Sequence, residues 1–149
     1  MEAPSTRVVF FQVQNALAKL KIICEIAETH FKAKEHFLIL VEDQASLDFV
    51  DDLLWKSPDT SFLPHVASDE PTKDLIAITK TKNNVNQGRV AFNLCSTPLM
   101  IDSPFRIIYE FEDLTNPNKN RLSSLRFDAY KAAHFLIESR SPSVVSKKK

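Results

Sequence analysis

The chain predicts an α/β fold: three layers, a parallel-to-mixed central sheet with helices on both faces, and no phosphate loop. Three observations carry this. Strand-like and helix-like segments alternate through the N-terminal half, and a crossover helix must pack back onto its sheet. The run HFLILV at 36–41 is apolar without interruption, as expected of a strand covered on both faces. The chain also contains a single glycine, Gly88, so neither a P-loop nor a G-x-G-x-x-G turn can be written.

The elements follow in order. RVVFFQV at 7–13 is β-branched and aromatic, and Asn15 is placed to cap the next segment. There Leu17, Leu20, Ile23, Cys24, Ala27 and Phe31 recur at helical spacing. After the 36–41 strand, Asp43 caps a second helix with Leu47, Val50, Leu53 and Leu54 on one face. DLIAIT, GRVAFNL and FRIIYEFED are strand-like, with the polar loop KTKNNVNQ between the first two. No helix long enough to connect strands lies between 61 and 113, which predicts a sheet that turns mixed toward one edge. A long helix is expected over 118–140, with Leu122, Leu125, Ala129, Ala132, Ala133 and Leu136 facing the core. The organisation predicted is one domain over 1–140 and a loose basic tail over 141–149.

Composition excludes several classes. Apolar residues make up 44% of 149, enough for one sizeable core, and the formal net charge is zero. No overall positive field exists to neutralise a phosphate backbone, so DNA is expected to be met only indirectly. The longest apolar run is too short to span a bilayer and the N-terminal stretch lacks a basic start with a long apolar block, so a cytoplasmic protein with no membrane role is expected. Cys24 and Cys95 lie far apart on apolar segments and read as reduced core thiols.

Candidate chemistry is sparse. His30, His36, His65 and His134 show no paired spacing that gathers metal ligands, and neither a metal nor any other cofactor is expected. Asp48, Asp51 and Asp52 lie on the polar side of the second helix and read as a solvated face. An enzyme using His65 as general base with Asp51 and Asp52 is the alternative, weakened by the missing phosphate loop. Trp55, the one tryptophan, ends the second helix just to the side of its apolar stripe. Such a ring either closes the core or anchors a partner.

The string FLILVEDQASLDFVDDLLWKSPDTSFLPHV resembles the chi subunit of bacterial DNA polymerase III: an apolar strand, Glu-Asp, an amphipathic helix ending in Leu-Trp, a proline, then Phe-x-Pro-His. Likeness extends to the opening strand, to RVAFNL and to the Tyr130–Lys131–Ala132 run. The resemblance implies a nucleotide-binding-like fold without a phosphate loop, and a non-catalytic accessory of the clamp loader that links it to single-stranded-DNA-binding protein during DNA replication. It also implies a surface for the psi subunit that includes Trp55 and Phe62; a repair helicase is the alternative partner there.

A second surface is implied on the last helix, for the acidic, phenylalanine-ended tail of single-stranded-DNA-binding protein. Residues 1–116 carry eleven basic and seventeen acidic side chains, and residues 117–149 eight and two, so neutrality hides a basic end. On a helical wheel Arg126, Tyr130 and Ile137 share a flank of the expected core stripe, with Lys119 near the same line. That flank is either merely solvated or suited to terminal-carboxylate capture. On the resemblance, Arg126 pairs with the tail's carboxylates and Tyr130 holds its last ring. Lys131 and Arg121 stand in should Arg126 point away, and Phe111 forms the other wall.

Overall fold

The computed structural model describes residues 6–56, 63–100 and 105–141. Its elements are β1 (Arg7–Val13), α1 (Ala16–Lys32), β2 (Phe37–Leu40), α2 (Gln44–Trp55), β3 (Val66–Ala67), β4 (Ile76–Thr79), β5 (Val90–Asn93), β6 (Ile107–Asp113), α3 (Pro117–Ala132) and β7 (Leu136–Arg140). The strands form one sheet in the order β3-β4-β2-β5-β6-β1-β7. Both expected caps form: the Asn15 side chain accepts from the Ala18 N–H and the Asp43 side chain from the Ser46 N–H. Each satisfies a backbone donor that a helix start leaves open.

Strand alternation divides the core in two. Val9, Phe11, Ile39, Ile78, Phe92 and Tyr109 face α1 and α2, whose Ile23, Ala27, Leu47, Val50 and Leu54 pack over them. Val8, Phe10, Leu38, Ala91 and Ile108 face the other way, under Tyr130 and Phe127 of α3. Leu17 departs from the expected stripe of α1, being 75% exposed, while Ile22 takes a buried place.

Every ladder of the described sheet is parallel, so the expected mixed edge does not form. Between β4 and β5 the chain crosses over β2 through residues 80–89 without a helix, and this loop is part of the core. Val85 joins the α3-side cluster. The buried Asn86 donates from Nδ2 to the carbonyls of Phe37 (3.1 Å), Asp74 (3.1 Å) and Leu75 (3.2 Å), tying the loop to the amino ends of β2 and β4. The lone glycine serves this crossing: a Cβ on Gly88 would stand 3.2 Å from the Leu38 Cβ and 3.3 Å from its backbone nitrogen.

The last helix departs most from expectation. It ends at Ala132, and the chain turns through His134 into β7, which pairs with β1 at the sheet edge. Of the expected core stripe, Leu125 is 53% and Leu136 54% exposed, Ala132 and Ala133 are exposed too, and Leu122 and Ala129 are only half-buried. The buried face is Ser123, Arg126 and Tyr130. Arg126 and Tyr130 therefore lie on the core stripe of α3, not on its flank.

The turn after α3 has a Schellman pattern, with Phe135 N–H donating to the Tyr130 carbonyl and His134 N–H to that of Lys131. His134 sits at φ 68°, and Lys34 takes the equivalent place after α1 at φ 60°. A side chain at such an angle crowds its own backbone. His134→Gly is therefore expected to raise stability by about 0.5–1 kcal/mol, the relief of strain exceeding the added freedom of the unfolded chain. Urea unfolding checks this; an unchanged or lower midpoint contradicts it. The expected basic tail over 141–149 lies outside the described residues except for Ser141.

Candidate functional site

Trp55 is 44% exposed at the end of α2. Its ring packs against His65, with the centroids 4.2 Å apart. The imidazole beneath is inaccessible: Nδ1 lies 2.6 Å from the Leu63 carbonyl oxygen, and Nε2 2.8 Å from the Asp51 carboxylate. With both ring nitrogens engaged and no exposed edge, His65 supports the indole and has no nitrogen free to act as a general base. Asp51 is thus a structural partner and not simply a solvated carboxylate. Asp52 is exposed and pairs with Lys56 at 3.1 Å. Phe62, the other expected member of this surface, lies outside the described residues.

A cleft of about 560 Å³ opens at the carboxyl ends of β2, β5 and β6. Open α/β sheets place ligands at this edge. The beginnings of α1 and α2 form one wall with Leu20, Ile23 and Phe49; the end of β6 and the first turns of α3 form the other with Phe111, Lys119, Leu122 and Arg126. Lys19, also on the lining, is held by Asp113 at 2.7 Å.

Beneath the cleft lies a buried polar network. In β6 the two-residue alternation that sends Tyr109 and Phe111 toward α1 and α2 turns Glu110 toward α3, where it is fully buried. Its Oε1 accepts from Arg126 Nε at 2.9 Å. Its Oε2 accepts from Asn93 Nδ2 at 2.7 Å and from the Tyr130 hydroxyl at 2.5 Å. The Tyr130 oxygen in turn accepts from the Leu99 N–H at 2.8 Å. Burial pushes the Glu110 carboxyl up to about 7 against the opposing pull of Arg126. Burial, and then Glu110 itself, raise the Tyr130 phenol far above its ordinary range.

The structure brings Arg126 and Phe111 together on the cleft lining, with Lys119 beside them. Tyr130 lies below the surface and is linked to Arg126 through Glu110, so a direct grip of its ring on a ligand is not available in this arrangement. Lys131 and Arg121 are exposed and do not line the cleft; Arg121 donates to Asn118 at 2.8 Å. Sequence reasoning missed Glu110 and Asn93. The signal was present: Glu110 falls inside the run IIYEF and Asn93 closes the run VAF, both in strands covered on both faces, where a buried polar side chain requires a partner.

The sequence model of the DNA polymerase III chi subunit, HolC, matches residues 5–138, a span that includes both surfaces. This chain belongs to the DNA polymerase III chi subunit family. Comparison with curated proteins finds no match. The family is that of an accessory subunit of DNA polymerase III. Cys95 is buried, and desolvation pushes its thiol up to about 11, which makes it a poor nucleophile. Among the described residues no three or more His, Cys, Asp or Glu gather as metal ligands, and no helix is long and apolar enough to cross a membrane.

Proposed function

We propose that this chi-family chain couples the clamp loader to single-stranded-DNA-binding protein, by binding alone. The observation that carries the reading is the cleft at the carboxyl edge of the sheet, where Arg126 and Lys119 stand beside the apolar surfaces of Phe111, Leu122 and Phe49. That pairing suits an acidic peptide ending in phenylalanine: the cations meet the terminal carboxylate while the last ring enters the apolar part. Tyr130 contributes from below through Glu110, and Lys131 and Arg121 add to the field that steers the peptide in. On the opposite side of the assignment, Trp55 with Phe62 is the anchor for psi or an equivalent clamp-loader protein, the indole being half-exposed and propped on His65.

Calorimetric titration with an acidic peptide ending in free phenylalanine tests the cleft. Micromolar affinity is expected at low salt, falling as salt rises. Amidation of the peptide's terminal carboxylate is expected to weaken binding by about tenfold, the size of a lost charge-assisted contact. Equal binding of the free and amidated peptides rejects carboxylate capture. In parallel, Trp55→Ala is expected to weaken psi capture by about thirtyfold, a hot-spot loss near 2 kcal/mol. Unchanged capture removes the indole from that interface.

A further inference from the structure

Arg126 is committed to the protein to an unusual degree. A guanidinium has five N–H donors in a rigid plane. Here Nε donates to Glu110, Nη1 to the Ser96 carbonyl at 3.2 Å, and Nη2 to the Phe111 carbonyl at 3.0 Å and to Ser123 Oγ at 3.3 Å. Four donors are therefore occupied among the described residues, and the one left belongs to Nη1 of this cleft-lining side chain. Glu110 opposes the positive charge from directly behind. The guanidinium thus presents a fixed direction to the cleft, and its charge is offset from behind wherever Glu110 is ionised.

We propose that Glu110 is a positioning residue: it fixes Arg126 so that the cleft reads a peptide's terminal carboxylate through one oriented Nη1 N–H, with bulk positive charge secondary. This rests on the tail-binding reading above and deepens it. Glu110 is itself held by Asn93 from β5 and Tyr130 from α3, so three elements converge on the direction of a single donor. Lys119, exposed on the first turns of α3, is placed on the same lining for the second carboxylate oxygen. The expected ligand class is a peptide chain end, recognised by direction as well as by charge.

Positioning and charge make opposite predictions, which gives the test its force. If Glu110 only offset the charge of Arg126, its removal would tighten binding of an acidic peptide. If it positions Arg126, removal frees the guanidinium to swing and weakens binding although the site gains positive charge. The probe is the acidic peptide ending in free phenylalanine, titrated into the full chain with Arg126→Met as reference.

Glu110→Ala is expected to raise Kd about tenfold. Glu110→Gln keeps an acceptor for Nε but turns an N–H toward the Asn93 and Tyr130 donors, and is expected to raise Kd about threefold, less than alanine does. The Arg126 Nε–H resonance, sharp and protected in wild type, is expected to broaden in Glu110→Ala and to return in Glu110→Gln. Should the alanine variant not fold, Tyr130→Phe decides: loss of the hydroxyl that steadies Glu110 is expected to raise Kd about threefold and broaden the same resonance. Wild-type protein that ignores the peptide rejects the tail-binding reading, and this inference with it. Wild-type binding that Arg126→Met weakens, alongside a Glu110→Ala variant that binds as tightly as wild type or tighter, overturns positioning alone; so does a Tyr130→Phe variant unchanged in both readouts.

Discussion

Arg126→Met is expected to cost about 3–5 kcal/mol of folding stability at pH 9 and clearly less at pH 6. Methionine keeps the aliphatic bulk but removes the charge and every donor. The Glu110 carboxyl, ordinarily at 4.5, sits near 7 in the folded protein because burial outweighs the pull of Arg126. Between these values the folded state binds more protons than the unfolded one. Wild-type stability therefore falls as pH rises through that window and is level, for this group, above it. Without Arg126 the folded value moves higher still, so the variant keeps losing stability above pH 7 where wild type does not. The gap between the two proteins widens there. At pH 6 both hold Glu110 largely neutral, and the cost is that of the lost bonds to Ser96, Phe111 and Ser123, about 1–3 kcal/mol. Urea unfolding at the two pH values measures it. A penalty equal at both would show that Glu110 is not the titrating partner, and Glu110→Gln added to Arg126→Met should abolish the pH dependence.

That same pair explains where the sequence was legible and where it was not. β1, β2, β4, β5 and β6 are short apolar runs, and α1 and α2 announce themselves through Asn15 and Asp43 and through apolar residues at helical spacing. Their burial follows from the hydrophobic effect, which periodicity reports directly. α3 is different because the sheet surface beneath it offers Glu110. The inward face must then be polar, so Ser123, Arg126 and Tyr130 are buried while Leu125 is not. Counting apolar residues selects the wrong side of such a helix.

The end of α3 was hidden for another reason. Helices commonly stop at a glycine, and this chain supplies His134 in that conformation instead. The run AAHFLIESR continues to look helical across the turn into β7. Trp55 and Phe111 were found from their residue types and from the family likeness, whereas Glu110 and Asn93 were not. A buried acid in a strand has no meaning until the element covering it is known, and here that element is α3, which follows β6 in the chain and folds back over it.

Phe92→Ala is the other large effect expected, about 3–5 kcal/mol, on the opposite face of the same strands. Phe92 is fully buried in β5, which is bonded on both sides, to β2 and to β6. Its ring centroid lies 5.0 Å from that of Phe111 and 5.7 Å from that of Tyr109. Pinned by ladders on both edges, the strand cannot move to fill the vacated volume, so the cavity persists and its full cost is felt. Phe92→Leu, which retains most of the volume, is expected to cost about 1 kcal/mol. Because Asn93 follows directly and holds Glu110, the alanine variant should also weaken binding of the acidic peptide, while the leucine variant should bind within about threefold of wild type. Urea unfolding and peptide titration on both variants decide it. An alanine penalty below about 1 kcal/mol would mean that this ring is not packed between the helices and the sheet.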